Sequence, residues 1–157
     1  MQERKFPAIS ARLLTGRALN LPDDARGRVV LVLLALVRQE PGLVDAWVDS
    51  FRQALGPGPF SWYRIALLGD STIPNIVDLG MKLGIPAPKH GWTATAYGQR
   101  SKIQQALGID DQDALYLYLL DGEGIIRWTG QGAPAPEAVA ELLAAAREAA
   151  GLEGKPG

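Results

Sequence analysis

The chain has 157 residues, is 47% hydrophobic and is nearly neutral, with 16 Lys and Arg against 17 Asp and Glu. That is enough apolar chain for one cored domain, and the balanced charge argues against a nucleic-acid partner, which would require a basic face. The count of zero cysteines removes disulfides, zinc–thiolate sites and thiol nucleophiles together.

In chain order, Phe6-Pro7 opens an extended stretch, Ile9 to Leu14, which turns at Thr15-Gly16 and returns over Ala18 to Leu21 as a hairpin. Residues 22–27 read as a loop. The run Val29 to Leu36 is continuously apolar, the pattern of a central strand buried on both faces. It belongs to the longest apolar run, Val29 to Val37, far short of the roughly 20 residues of a membrane span. The first residues, Met1-Gln2-Glu3-Arg4-Lys5, are followed by no apolar stretch, so no signal peptide is expected. Leu43, Trp47, Phe51 and Leu55 recur every four residues and predict a helix over 42–55 with Trp47 in the core. Gly56-Pro57-Gly58-Pro59 ends it.

Trp62 to Leu68 reads as a second buried strand, and 74–83 as a helix. Residues 86–98 are irregular, with an edge strand at 93–97. A short helix over 99–107 stops at Gly108. Leu115 to Leu120, the turn Asp121-Gly122-Glu123-Gly124 and Ile125 to Thr129 make a second hairpin. Pro136 starts a final helix whose inner face carries Val139, Leu142, Leu143 and Ala146. Residues 151–157 read as a frayed tail, and no linker suggests a second domain. A strand–helix–strand unit followed by an antiparallel hairpin and a last helix resembles the thioredoxin-like topology. The expected class is therefore α/β, a central mixed sheet flanked by helices in three layers, with the N-terminal hairpin as an addition.

Within that superfamily several stretches resemble the mitochondrial F-type ATPase complex assembly factor ten family. The strongest is Gly108-Ile109, then Tyr116-Leu117-Tyr118-Leu119-Leu120-Asp121, then Gly124-Ile125-Ile126-Arg127-Trp128-Thr129-Gly130-Gln131-Gly132-Ala133, then Glu137. Phe6-Pro7, Leu21-Pro22, Trp47 with Phe51, Asp70-Ser71, and His90, Tyr97-Gly98 and Leu107-Gly108-Ile109 add to it. The resemblance implies a non-enzymatic, redox-inactive helper: a chaperone that binds a protein partner such as a subunit of a membrane complex. From the sequence itself, no cofactor and no transmembrane segment are expected, and the expected location is in the cytoplasm or peripheral to a membrane.

In a thioredoxin-like frame the functional end is the loop after the first buried strand, here Arg38-Gln39-Glu40-Pro41. A redox enzyme would carry its cysteines there, and a proline before the hairpin strand, where this chain has Ala114-Leu115. Both elements are missing. Arg38 beside free helical N–H groups could hold an anion or a client carboxylate; alternatively Arg38 and Glu40 pair in a solvated loop. His90, the only histidine, reads as a surface residue or as part of a small-molecule site with Arg38 and Arg100. Asp110, Asp111 and Asp113 lack the calcium-loop pattern and read as a polar turn. Arg127 and Trp128 either anchor an interface at a sheet edge, or Trp128 packs under the last helix while Arg127 faces solvent. The candidate binding residues are thus Arg38, Gln39, Glu40, His90, Tyr97, Arg100, Arg127 and Trp128, with no catalytic or metal-ligating residue.

Overall fold

The computed structural model describes residues 4–37, 41–55, 58–68, 80–111 and 113–151. Its elements are β1 (Ile9–Leu13), β2 (Ala18–Leu21), β3 (Val29–Ala35), α1 (Pro41–Leu55), β4 (Phe60–Leu68), β5 (Thr93–Tyr97), α2 (Arg100–Leu107), β6 (Leu115–Leu120), β7 (Ile126–Gln131) and α3 (Pro136–Ala149). Residues 80–84 form a helical turn, the described end of the helix expected over 74–83. One open sheet runs in the order β2-β1-β5-β4-β3-β6-β7. β3, β4 and β5 are parallel neighbours, and the remaining pairs are antiparallel.

The unbroken apolar run of β3 is explained by its position. Val29, Leu31, Leu33 and Ala35 face one core with α1 and α3, while Val30, Val32 and Leu34 face a second core on the other side. Every residue of the strand is buried. A strand covered on both faces by apolar layers has no use for polar alternation.

The first core, between the sheet and α1 and α3, centres on Trp47, Phe51, Leu117 and Leu142, all with no exposed surface. The Trp47 ring lies 5.8 Å from Trp128 and its Nε1–H donates to the Gly132 carbonyl at 2.7 Å. The large ring thereby keeps its one donor satisfied inside the core. The second core lies under α2, where Ile103 and Leu107 meet Phe6, Ile9, Ile65 and Tyr118. Gly108, with φ of 67°, ends α2 in the left-handed conformation that glycine adopts at low cost.

Two departures from expectation concern the sheet. Residues 93–97 are not an edge strand: β5 sits between β1 and β4, with Thr93, Ala94, Thr95 and Ala96 buried. Its small side chains carry little hydrophobic signal, and its interior place is decided by β1 arriving from the far end of the sequence. The Gln99 side chain completes that arrangement like an extra ladder rung, accepting from Ser10 N at 2.9 Å and donating to Ser10 O at 2.7 Å. Residues 22–27 are also more ordered than a plain loop. They contain a 3₁₀ turn, Asp23–Ala25, and the Asp24 carboxylate accepts the Asn20 N–H on β2.

Candidate functional site

β3 and β4 both end at the same edge of the sheet, and α1 starts just beyond β3. On the α1 side of the sheet this arrangement leaves a pocket of about 460 Å³. Alternation in β4 explains its floor: Ile65 and Leu67 point into the second core, so Arg64, Ala66 and Leu68 face the opposite side. Ala35 and Leu36 at the end of β3 continue that floor. Met81, Ile85, Pro86 and Trp92, from the helical turn and the loop after it, form the facing wall. The lining is mainly apolar. Among the described residues its charged groups are Asp45 on α1, Lys89 on the 3₁₀ turn Ala87–Lys89, and Arg64.

Lys89 Nζ donates to Asp45 Oδ2 at 2.7 Å, and both side chains are about a third exposed, 33% and 34%. The pair ties the loop to α1 across the mouth of the pocket. The same loop is braced from behind. Thr93 Oγ1 donates to the Lys89 carbonyl at 2.8 Å, the Arg64 N–H donates to the Trp92 carbonyl at 2.8 Å, and His90 Nε2–H donates to the Ile85 carbonyl at 2.8 Å. A loop held by four such contacts gives the pocket a rigid wall.

The sequence-predicted site residues are dispersed. Arg38, Gln39 and Glu40 lie outside the described residues. His90 is half-buried and serves to brace its loop; it is the neighbouring Lys89 that reaches the pocket. Tyr97 ends β5, and its carbonyl accepts from Gln99 Nε2. Arg100 opens α2, the helix that packs on the opposite face of the sheet. Neither His90 nor Arg100 lines the pocket among its described residues. Ala114 and Leu115 stand where the missing proline would be, with Leu115 fully buried.

The hairpin residues are also engaged. β7 is the end strand, as expected of an edge. Trp128 lies against Trp47 and α3, which is the packing alternative. Arg127 is 42% exposed, yet its Nε donates to Asp121 Oδ2 at 2.6 Å. Asp121 Oδ1 also accepts the N–H groups of Glu123 and Ile125 at 2.9 and 3.0 Å. Burial of Asp121 raises its pKa, but those two N–H donors and Arg127 outweigh it and hold the carboxyl below its ordinary value. The aspartate cluster is a turn: Asp111 Oδ1 accepts the Asp113 N–H, and the Tyr116 hydroxyl donates to the Asp111 carbonyl. Among the described residues no group of three acidic or histidine side chains is arranged to hold a metal ion.

Of the pocket residues, Trp92 reads from the sequence, like Trp128, as either an interface anchor or a packed ring, whereas Asp45, Arg64 and Lys89 were not singled out. One signal existed. Arg64 interrupts an otherwise apolar strand, Trp62 to Leu68, and a charge at an inward position of a central strand has to face something other than core.

No known protein family and no curated protein matches the chain at the level of sequence. Solved structures do. BsSco, a member of the Sco family of cytochrome c oxidase assembly proteins, aligns with a TM-score of 0.64 at 13% identity, covering 96% of each chain. A candidate thiol:disulfide interchange protein DsbE from Chlorobium tepidum gives 0.63 at 16% identity, covering 95% of this chain and 97% of that one. A candidate electron-transfer protein from Aquifex aeolicus VF5 gives 0.66 at 17% identity, covering 98% and 96%. At these identities the likeness concerns the fold, which is thioredoxin-like.

Proposed function

We propose that this chain is a redox-inactive thioredoxin-like protein that binds another protein and has no enzymatic activity, acting as an assembly chaperone for a subunit of a membrane complex. The observation that carries the reading is the apolar pocket at the ends of β3 and β4, at the end of the fold where thiol proteins hold their cysteines, in a chain with none. An apolar cavity there suits an inserted side chain of a partner rather than a reacting thiol. Supporting it are the resemblance of the Arg127-Trp128 hairpin segment to the ATPase assembly factor family, and the fold shared with BsSco, itself a member of a family of oxidase assembly proteins. Among the described residues no helix is long and apolar enough to cross a membrane.

The test is tagged capture from the source cells in mild detergent, with bound proteins identified by mass spectrometry. Subunits of ATP synthase or another membrane complex, recovered in stoichiometric yield and capturing this chain reciprocally, support the proposal. Folded protein that returns no partner overturns it.

A further inference from the structure

We infer that the pocket at the ends of β3 and β4 takes a bulky aromatic side chain, carried on an uncharged, apolar stretch of a partner protein whose backbone amides meet Lys89 and Asp45 at the mouth. This rests on the protein-binding reading above and names the chemistry of the segment that the partner presents.

The cavity, about 460 Å³, falls in the size range of small-molecule sites, roughly 300–1,000 Å³, and has room for a side chain as large as an indole. Gly80 and Gly84, one helical turn apart, both line it, and a Cβ built on either meets nothing within 4 Å. The wall there is bare backbone, which lets a flat ring approach closely. Val37, which lines the pocket, and Leu83, on the same turn as the two glycines, are the large apolar residues left exposed among those described, at 37% and 81%. Apolar surface therefore extends from the cavity onto the segments that frame it, more than a molecule lodged inside would cover.

The charged groups select a neutral occupant. Lys89 and Asp45 hold each other at 2.7 Å and Arg64 has an interaction of its own, so the described lining leaves no lone charge for an acid or a base. A charged side chain entering this apolar space would lose its water without gaining a partner. The Lys89–Asp45 pair still offers both hydrogen-bonding roles at the mouth. The ammonium has three N–H donors and the carboxylate two acceptor oxygens, and their contact uses one of each. A peptide group carries one donor and one acceptor and can bond to both, which a hydrocarbon cannot. An aromatic residue between apolar neighbours thus suits cavity, frame and mouth together, and aromatic side chains are favoured interface anchors.

The experiment is fluorescence anisotropy on the purified chain with short, end-capped, dye-labelled peptides of Gly and Ser around a central Leu-Trp-Leu, and with that Trp replaced by Ala, Glu or Lys. Free indole, added as an unlabelled competitor, measures the cavity alone. The Trp peptide should bind about thirtyfold more tightly than the Ala peptide, with the Glu and Lys peptides no better than Ala and indole about tenfold weaker than the Trp peptide. Gly84→Leu, whose side chain would enter the cavity, should abolish Trp-peptide binding while the circular dichroism stays unchanged. Asp45→Ala combined with Lys89→Ala should weaken the Trp peptide about tenfold and leave indole unaffected. Equal binding of the Trp and Ala peptides, tightest binding by the Glu or Lys peptide, indole matching the Trp peptide, full binding in either variant, or no binding by any probe would each overturn the inference. The peptide series uses the unmodified chain, so it decides the matter even if a variant fails to fold. Partner capture that succeeds while the peptides fail would leave the protein-binding proposal standing and remove this inference. Peptides that bind while capture fails would remove only the membrane-complex partner.

Discussion

The turn of the β6–β7 hairpin and the pocket lie at opposite ends of β3, and they use charge in opposite ways. At the hairpin, Asp121 is 7% exposed and accepts from two backbone N–H groups and from Arg127. Its neighbour Trp128 is committed to Trp47 and the core. At the pocket, Asp45 and Lys89 make a single contact in partial solvent beside unfilled apolar surface. The hairpin therefore carries the most distinctive residues and uses them to hold the fold. The pocket is built from unremarkable residues and leaves capacity for something else. A distinctive motif is as compatible with a structural demand as with a functional one.

The comparison can be broken most strongly at Asp121. Asp121→Ala leaves two N–H groups and Arg127 without their acceptor and should cost about 2–4 kcal/mol in urea unfolding at neutral pH. Because the folded pKa lies below the ordinary value of 3.8, this contribution is present above that value and is lost as pH falls through the folded pKa. The gap between wild type and variant should therefore close below about pH 4; a constant gap down to pH 2 would contradict the assignment.

A second break concerns Trp128. A Cβ at Gly130 would collide with the Trp128 ring, which lies across that glycine. Gly130→Ala should displace the ring, cost about 1–3 kcal/mol and diminish the near-ultraviolet circular dichroism of the Trp47–Trp128 pair. An unchanged spectrum would show that the ring is not pinned there.

Tyr118, buried in the second core, tests the opposite side of the sheet at high pH. Burial pushes its hydroxyl up to about 12, against a partly offsetting pull from the Arg4 charge. Its folded pKa is raised, so the stability it contributes is complete below the unfolded value near 10 and is lost as pH climbs to about 12. Wild type should lose about 2 kcal/mol more than Tyr118→Phe across that window. Parallel losses would assign the alkaline transition to other groups.

The smallest expected effect on stability sharpens the contrast. Lys89→Gln removes only a partly exposed ion pair and should change stability by less than about 1 kcal/mol. A larger loss would mean that the pocket mouth is structural, as the hairpin is.

Most strands and helices were legible because their periods are local properties. β3 is readable as a doubly buried strand from its unbroken apolar run, and α1 from Trp47, Phe51 and their neighbours at helical spacing. β5 was legible as a strand and not as an interior one, since Thr and Ala alternate without announcing which partners will flank them. The site was less legible. His90 drew attention by being alone of its type, yet its ring braces a loop, and Arg100 went to the far face of the sheet with α2.

By itself the sequence determined the α/β order of elements, the core position of Trp47 and the absence of thiol chemistry, because patterning and composition need no partner to be read. Only the tertiary structure decided that β5 is interior and that Trp128 serves the core. It alone brought Asp45, Arg64 and Lys89 from three separate elements to one apolar cavity. Those outcomes depend on which distant segments meet across the sheet, and contacts between residues tens of positions apart leave no periodic trace in the chain.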